Sequence, residues 1–544
     1  MIELINIQAL RGPNLFSLDH RLILLRLRLL GITSPSIFSN NEDLLKLLQI
    51  ELIGQFDVLK LIGKLALHLQ NSAGYRLNFL KILNTNEENV HRIIFEYCSE
   101  DAGKLAGKLA CTLAENILLD QKVDCEEAIN ELIKLKSLEP DQTQNFKSLL
   151  NPNNIPVIAV TGTNGKTTTS RLIAHICHHS GIKVGFTTSD GIYINAEMIE
   201  KGDTTGPASA HTVLHHPEVD LAVLETARGG ILRAGLAFGT CQVAVVTNVQ
   251  PDHLGLGDIH TVEEMAKVKA LVVDVLERGG TAVLNLENEH TKSMATRKDL
   301  QYAWFSIQKN PVWPEEFKFI AFVEKHKIVV KNNYETILEI NFEDCPISFN
   351  GTVPFMIENV MAAILACLSF GVSNDSIKKG IQSFYPSAEQ TPGRLNVFDF
   401  HQFKVMVDFA HNPDGFSGIK EFLKHIQSPF KIGIITGTGD RPDASTEELG
   451  KLSAEMFDYI IIHQAKFHRG RTAQEIVDLL VKGIKSVNSN VPYEYIPDEI
   501  EPLAYAIEKA KPGAFITALS DVLDDPINLI TSYQQNPAIN KLSL

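Results

Sequence analysis

Long apolar runs are missing: no stretch approaches the ~20 uninterrupted apolar residues that a membrane-crossing helix needs. The most apolar early segment, Leu22 to Leu30, is broken by Arg26 and Arg28. The chain does not open on the charged, then apolar, then small-residue pattern of a signal peptide. Cysteine is sparse and scattered. The seven residues Cys98, Cys111, Cys125, Cys177, Cys241, Cys345 and Cys367 include no C-x-x-C pair, which argues against a disulfide frame or a thiolate zinc site. Basic residues are outnumbered, 50 against 65, giving a formal charge of −15. That balance excludes a surface built mainly to neutralise nucleic-acid phosphates or to lie on anionic lipid. Together these absences predict a cytoplasmic protein with neither nucleic acid nor membrane as a partner.

What is present is an ordinary globular mixture, 44% apolar and 21% charged, in 544 residues, long enough for several domains. Residues 1–135 are rich in Leu and Ile and read as mostly helical. In Glu100 to Leu119, for example, Ala102, Leu105, Ala106, Leu109 and Leu113 recur at three- and four-residue spacing. A polar stretch with Asn-Pro and Ile-Pro punctuation, residues 136–155, marks a linker. From 156 to about 390, short β-type runs (157–160, 221–224, 243–249) alternate with helical stretches such as Lys166 to Ser180, with further strands expected between Met294 and Asn350. A second alternating series occupies 391–544, with strands at 404–410, 433–436, 458–463 and 514–519. This alternation predicts an α/β protein with mostly parallel sheets.

The segment Val157 to Ser170 reads VIAVTGTNGKTTTS, a strand running through glycines into a helix that opens on lysine and threonine. Such a turn gathers backbone N–H groups and the positive helix end around an anion, with Lys166 as a point charge and Thr167 as a magnesium ligand. Gly162, Thr163, Asn164, Gly165, Lys166, Thr167 and Thr168 are therefore the candidate phosphate cradle of a nucleoside triphosphate. The early glycine of the usual phosphate-loop pattern is replaced by Val160, so the loop is a variant. Glu225 closes one β-run, and Asn248, Asp252 and His253 follow another. Ligands of an open parallel sheet gather beyond the carboxyl ends of its strands, so these residues belong to the same rim. Taken singly each reads as an ordinary turn or cap residue. Their appearance after successive strands favours metal and nucleotide binding, with Glu225 suited to Mg2+.

These segments, with ENVMAA (358–363), PGR (392–394), DFAHNP (408–413) and GTGDR (437–441), resemble the ATP-dependent Mur ligase superfamily. Within it, TTSDGIYI, GDTTGP, LETARGGILR and DHLGLGDI are most similar to the Mur-ligase-like part of cyanophycin synthetases, and LRGPNLFS and IFEY resemble their N-terminal domain. The resemblance implies a fold of three parts: a small α+β N-terminal domain, a phosphate-loop central domain and a Rossmann-like C-terminal α/β domain. Cyanophycin synthetases carry an ATP-grasp domain where this chain has only the 136–155 linker. Some of their N-terminal domains also carry an H-x-x-E-H peptidase signature, where this chain has Lys60-Leu61-Ile62-Gly63-Lys64. No peptidase activity is expected.

The resemblance further implies ATP and Mg2+ as cofactors and amide formation through an acyl phosphate. Lys166 would act on the transferring phosphoryl group, Thr167 and Glu225 would hold one metal, and His253 a second. A carbamylated lysine would complete the second site, with Lys269 the candidate and Lys267 the alternative. Asn359, Arg394, Asp408 and His411 would face the nucleotide, and movement of the C-terminal domain would complete the site. The implied partners are a small amine or amino acid and a carboxylate acceptor of aspartyl type, and a homo-oligomer is compatible with the sequence. The competing reading is a nucleotide-binding regulatory or scaffold protein of the same fold without ligase turnover.

Overall fold

The computed structural model describes residues 1–30, 40–50, 52, 55–85, 87–97, 99–136, 150–252, 254–256, 259–308, 311–464, 470–488, 490–498, 500–520 and 524–535. His253, most of the expected linker and the AKFHR stretch therefore lie outside the described residues. Contacts divide the chain into two compact units. One comprises Met1–Ile155, Thr205–Pro217 and Thr226–Cys241, and the other Pro156–Thr204, Glu218–Glu225 and Gln242–Leu544.

The leucine-rich opening, read as mostly helical, is more helix than strand, yet its helices accompany a four-stranded sheet. Strands Ile2–Leu10, Leu22–Leu29, Val90–Glu96 and Leu80–Asn84 pair antiparallel in that order. Leucine is a strong helix former, but in Leu22–Leu29 the period is two. Ile23, Leu25, Leu27 and Leu29 are buried, while Arg26 pairs with Glu87 and Arg28 with Glu3 at 2.9 Å on the other face. Packing on the sheet thus overrides intrinsic preference. Helices Gln55–Ser72 and Glu100–Leu118 cover this sheet, joined by Glu126–Lys136. The Gly63 stretch lies in the first of these, where Leu61 and Ile62 are core residues.

The second unit holds two sheets. The larger has eleven strands, ordered from Glu335–Asn341 at one edge to Glu197–Lys201 at the other. Its centre is parallel: Val157–Thr161 lies between Cys241–Val246 and Leu221–Glu225, and Val184–Thr187 follows. The expected extra strands after Met294 are Gln301–Ser306, Phe319–Glu324, Lys327–Asn332 and Glu335–Asn341. Central strands buried on both faces read as continuous Val/Ile/Ala runs, and Val157–Thr161 and Leu221–Glu225 are buried throughout. Helices Lys166–His179 and Pro354–Phe370 pack together on this core.

The smaller sheet runs Asn396–Asp399, Lys404–Asp408, Phe515–Leu519, Lys431–Ile435, Tyr459–His463, Tyr493–Ile496. All its pairings are parallel except the first, as a doubly wound nucleotide-binding sheet requires. The architecture is that of a phosphate-loop α/β domain followed by a Rossmann-like α/β domain, preceded by a small α+β domain. Among the described residues, no helix is long and apolar enough to cross a membrane.

Candidate active site

The phosphate loop follows the central strand Val157–Thr161 and is fastened to the neighbouring strand end. Thr163 N donates to Asn248 O at 3.0 Å, Asn164 N to Asn248 Oδ1 at 3.0 Å, and Thr247 Oγ1 to Asn164 O at 2.6 Å. Two glycines are fixed by space as well as dihedral angle. A Cβ on Gly162 (φ +151°) would lie 1.9 Å from Thr247 Oγ1, and one on Gly165 (φ +85°) 2.1 Å from Asn359 Oδ1. Any larger residue would push the backbone off its neighbours. Asn359 is thus seated against the loop by its helix, with Thr169 Oγ1 donating to its Oδ1 at 3.5 Å.

Lys166 opens helix Lys166–His179 and donates to Thr163 O at 2.9 Å. Thr167 Oγ1 lies 3.0 Å from Ser189 Oγ. Glu225, at the end of the adjacent strand, is buried, and its Oε2 has no hydrogen-bond partner. Burial raises its carboxyl above the usual range, while Lys166, Thr167 and Arg394 pull it back. A carboxylate oxygen left unpaired in a dry site costs free energy until a cation meets it. Among the described residues there is no cluster of three or more His, Cys, Asp or Glu able to hold a metal. Mg2+ commonly takes only one or two carboxylates and completes its shell with hydroxyl, phosphate and water oxygens, so Glu225 and Thr167 fit it.

The structure separates the two candidate lysines of helix Val262–Asp274. Lys269 is buried and its Nζ donates to Gly162 O at 2.6 Å, directly under the loop, whereas Lys267 is exposed to solvent.

The C-terminal sheet supplies the other side. Arg394 Nη2 lies 3.4 Å from both Thr167 Oγ1 and Ser189 Oγ, and its guanidinium stacks 4.6 Å over Phe409. Burial lowers its pKa, opposed by Asp408 and Glu225. Asp408 is buried with both oxygens engaged, Oδ2 accepting from Leu395 N and Oδ1 from Ala410 N, each at 2.8 Å. It therefore shapes the turn that presents Arg394. The Nδ1 of His411 lies 2.9 Å from Phe409 O, its ring edge-on to Phe409. Asn164 Nδ2 donates to Asp414 Oδ2 at 2.6 Å, Asn412 Nδ2 to Asn164 Oδ1 at 3.2 Å, and Arg441 pairs with Asp252 at 3.1 Å and with Asp440 at 3.0 Å. Of the site residues expected from sequence, Lys166, Thr167, Glu225, Lys269, Asn359 and Arg394 meet at this loop, Asp408 and His411 lie on the turn beside Arg394 and Phe409, and His253 is outside the described residues.

Several neighbours went unnoticed in the sequence. Arg171, one turn into the loop helix, forms a buried pair with Asp190 and donates to Gln390 O at 3.2 Å. Tyr193 Oη donates to Asp190 at 2.5 Å. Burial pushes Asp190 upward, but Arg171, Tyr193 and Thr188 outweigh it and hold the carboxyl below its usual range. Glu358, beside Asn359, accepts from Asn285 Nδ2 at 3.3 Å, and burial, with Glu287 and Asp414 nearby, pushes it up to about 7. An acidic residue inside an otherwise apolar helix, as in MIENVM, was the available signal.

Comparison with known proteins places these parts. Residues 160–367 match the Mur ligase middle domain, 393–521 the Mur ligase, glutamate ligase domain, and 57–119 the cyanophycin synthase-like N-terminal domain. The cyanophycin synthetase of Geminocystis herdmanii is 42% identical over 390 residues, covering 70% of this chain and 44% of that protein. The chain thus spans less than half the length of that relative. The UDP-N-acetylmuramoyl-L-alanyl-D-glutamate–2,6-diaminopimelate ligase of Caldanaerobacter subterraneus is 25% identical, covering 66% of this chain and 71% of that one. Among solved structures, Mycobacterium tuberculosis folylpolyglutamate synthase complexed with ADP and AMPPCP shares the fold, with a TM-score of 0.54 at 18% identity over 69% of this chain and 91% of that one.

Proposed function

We propose that the chain, whose residues match the Mur ligase middle domain, the Mur ligase, glutamate ligase domain and the cyanophycin synthase-like N-terminal domain, is an ATP-dependent ligase of the Mur ligase superfamily joining an amine or amino acid to a carboxylate. The relatives reported above are ligases or synthases, which disfavours a purely regulatory protein of the same fold. The observation that carries the reading is the buried, unpartnered oxygen of Glu225 beside Thr167, facing Lys166 and Arg394 at a nucleotide-type loop.

The reaction asks for little covalent work from the protein and much positioning. A carboxylate oxygen of the acceptor attacks the terminal phosphorus of ATP, ADP leaves, and an acyl phosphate forms. The amine nitrogen then attacks the acyl carbon, a tetrahedral species collapses, and the amide and inorganic phosphate are released with loss of the amine's proton. Lys166 and the loop N–H groups neutralise the charge on the moving phosphoryl group. Thr167 and Glu225 are the residues that would hold Mg2+, which supplies charge neutralisation on the phosphates when bound. Arg394 brings a second fixed cation from the C-terminal domain, and Asn359 holds the loop against its helix for the nucleotide. His411 lies on the same face. Lys269, buried beneath Gly162, would carry the carbamate that the resemblance implies, in place of its ammonium bond to Gly162 O. Withdrawal and return of the C-terminal domain, through Asp414, Asn412 and Arg441, would admit the nucleotide and then exclude water from the acyl phosphate.

The resemblance of the sequence motifs to cyanophycin synthetases supports an aspartyl-type acceptor and a cationic amine. The test is phosphate release from ATP with oligo-aspartate and a panel of amino acids. The reading expects release that needs both acceptor and amine and yields an amide. ATP binding without amine-dependent release across the panel would return the protein to the regulatory class.

A further inference from the structure

The N-terminal segment Gln8–Pro13 grips a second stretch of its own unit through the backbone. Arg11 N donates to Ala234 O at 2.9 Å, and Leu236 N donates back to Pro13 O at 2.8 Å. Gln8 Nε2 donates to Leu232 O at 2.9 Å and to Arg233 O at 2.5 Å, covering the carbonyl end of helix Arg228–Ala234. The fit leaves no room for side chains. A Cβ on Gly12 would sit 1.8 Å from Leu236 O, and one on Gly235 (φ +77°) 2.7 Å from Pro13 O and 2.8 Å from Gly12 O. The gripping turn is itself fixed: buried Asn14 donates to Gly12 O at 2.9 Å and accepts from Phe16 N and Ser17 N. Arg11 is anchored to Glu100 of helix Glu100–Leu118 at 2.6 Å.

The gripped stretch starts at Thr226, the residue after Glu225 in sequence. It presses in turn on the Gly206 loop. Ala227 N donates to Thr205 O at 3.2 Å, and a Cβ on Gly230 would meet Gly206 Cα and Pro207 Cδ at 3.1 Å. Gly206 itself faces open space. A chain of close contacts therefore runs from Gln8 and Gly12 through the stretch that carries Arg228 and Arg233 to the Gly206 loop, and arginine is the side chain suited to receiving a carboxylate.

We infer that Gln8 and Gly12 are positioning residues of the ligase, holding the stretch from Thr226 to Leu236, and with it the Gly206 loop, in the form that takes the carboxylate acceptor. The inference rests on the ligase reading for the identity of that acceptor. On this account the N-terminal domain is a working part of the ligation machinery, needed without any ATP-grasp domain beside it.

The experiment compares Gln8→Ala and Gly12→Val with the parent, using full-length protein. Backbone exchange at the amides of Arg11 and Leu236 should quicken by about tenfold or more in Gly12→Val, reporting an opened clasp. The KM for oligo-aspartate should rise about tenfold in both variants while the KM for ATP stays within about twofold. Gln8→Ala, which removes no buried bulk, should keep the parent's melting temperature. A parent-like oligo-aspartate KM in Gly12→Val despite faster exchange, or parent-like exchange, would overturn the inference. So would parallel changes of both KM values with a lower melting temperature in Gln8→Ala, since they would mark a purely structural contact. If the parent releases no phosphate with oligo-aspartate and any amine, the acceptor assignment fails instead. Exchange across 226–236 then decides for or against the clasp.

Discussion

The two sides of the nucleotide site are built differently. The phosphate loop is held through its own backbone, Thr163 N on Asn248 O and the Asn164 N–H and carbonyl on the Asn248 and Thr247 side chains, and by glycines that tolerate no Cβ. Among the described residues, the C-terminal side reaches this region through side chains: Asp414 and Asn412 on Asn164, Arg394 at 3.4 Å from Thr167, and Arg441 on Asp252. A backbone cradle is preorganised and moves little, whereas a face of side-chain bonds and ion pairs can part and re-form at modest cost. On the proposed ligase reading, the difference assigns phosphate binding to one side and closure of the site to the other.

The strongest challenge to that contrast is Lys166→Ala. It should cut amide formation by roughly 1000-fold while leaving the melting temperature near the parent's, because the residue works on transferred charge. Near-parent turnover would remove the loop from the chemistry. Next, Lys269→Ala should lose about 100-fold, with partial rescue by added formate or acetate standing in for a carbamate, while exposed Lys267→Ala should be silent. Equal losses in both lysine variants would show that burial beneath Gly162 is irrelevant.

Asp414→Ala probes the other side. It should lower kcat about tenfold and raise the KM for ATP, with thermal stability changed by no more than about 1 kcal/mol, because the lost bond to Asn164 is an exposed one. A loss of stability without a kinetic effect would make the C-terminal face a fixed interface.

The smallest effect concerns Glu358, whose carboxyl is raised to about 7 by burial. A raised acid favours the folded state fully below its unfolded pKa and loses that contribution as pH climbs through the folded value. Parent and Glu358→Gln should therefore match near pH 5, and the variant should be more stable by about 2 kcal/mol at pH 8. Denaturant titrations at the two pH values read the difference.

The same contrast explains what was legible in the chain. The phosphate loop could be read because its signal is local, with glycines, Lys166 and Thr167 consecutive between a strand and a helix. Glu225 was legible because a charge ending a buried run stands out. The C-terminal partners join across about 250 residues, where no local spacing predicts which side chains meet. Arg394 and Asp408 were reached by resemblance, and the division of labour between them, one cation delivered by a carboxylate tied to two backbone amides, came only from coordinates. Arg171 stayed hidden because a buried arginine is explained only by its partners, Asp190 and Tyr193. In the N-terminal region the strands were implied by the resemblance to an α+β domain and not by the residue pattern, because leucine, a helix former, fills strands whose identity is set by packing and by the alternate placement of Arg26 and Arg28. The grip of Gly12 on Leu236 spans over 200 residues and left no local pattern.

The central claim is that the terminal phosphate of ATP passes through the acceptor's own carboxylate. The direct measurement supplies an acceptor whose carboxylate carries heavy oxygen and analyses the released phosphate by mass spectrometry. The account predicts that each phosphate formed during ligation carries a single labelled oxygen, left behind when the amine displaces the acyl phosphate. Unlabelled phosphate formed alongside the amide would contradict it.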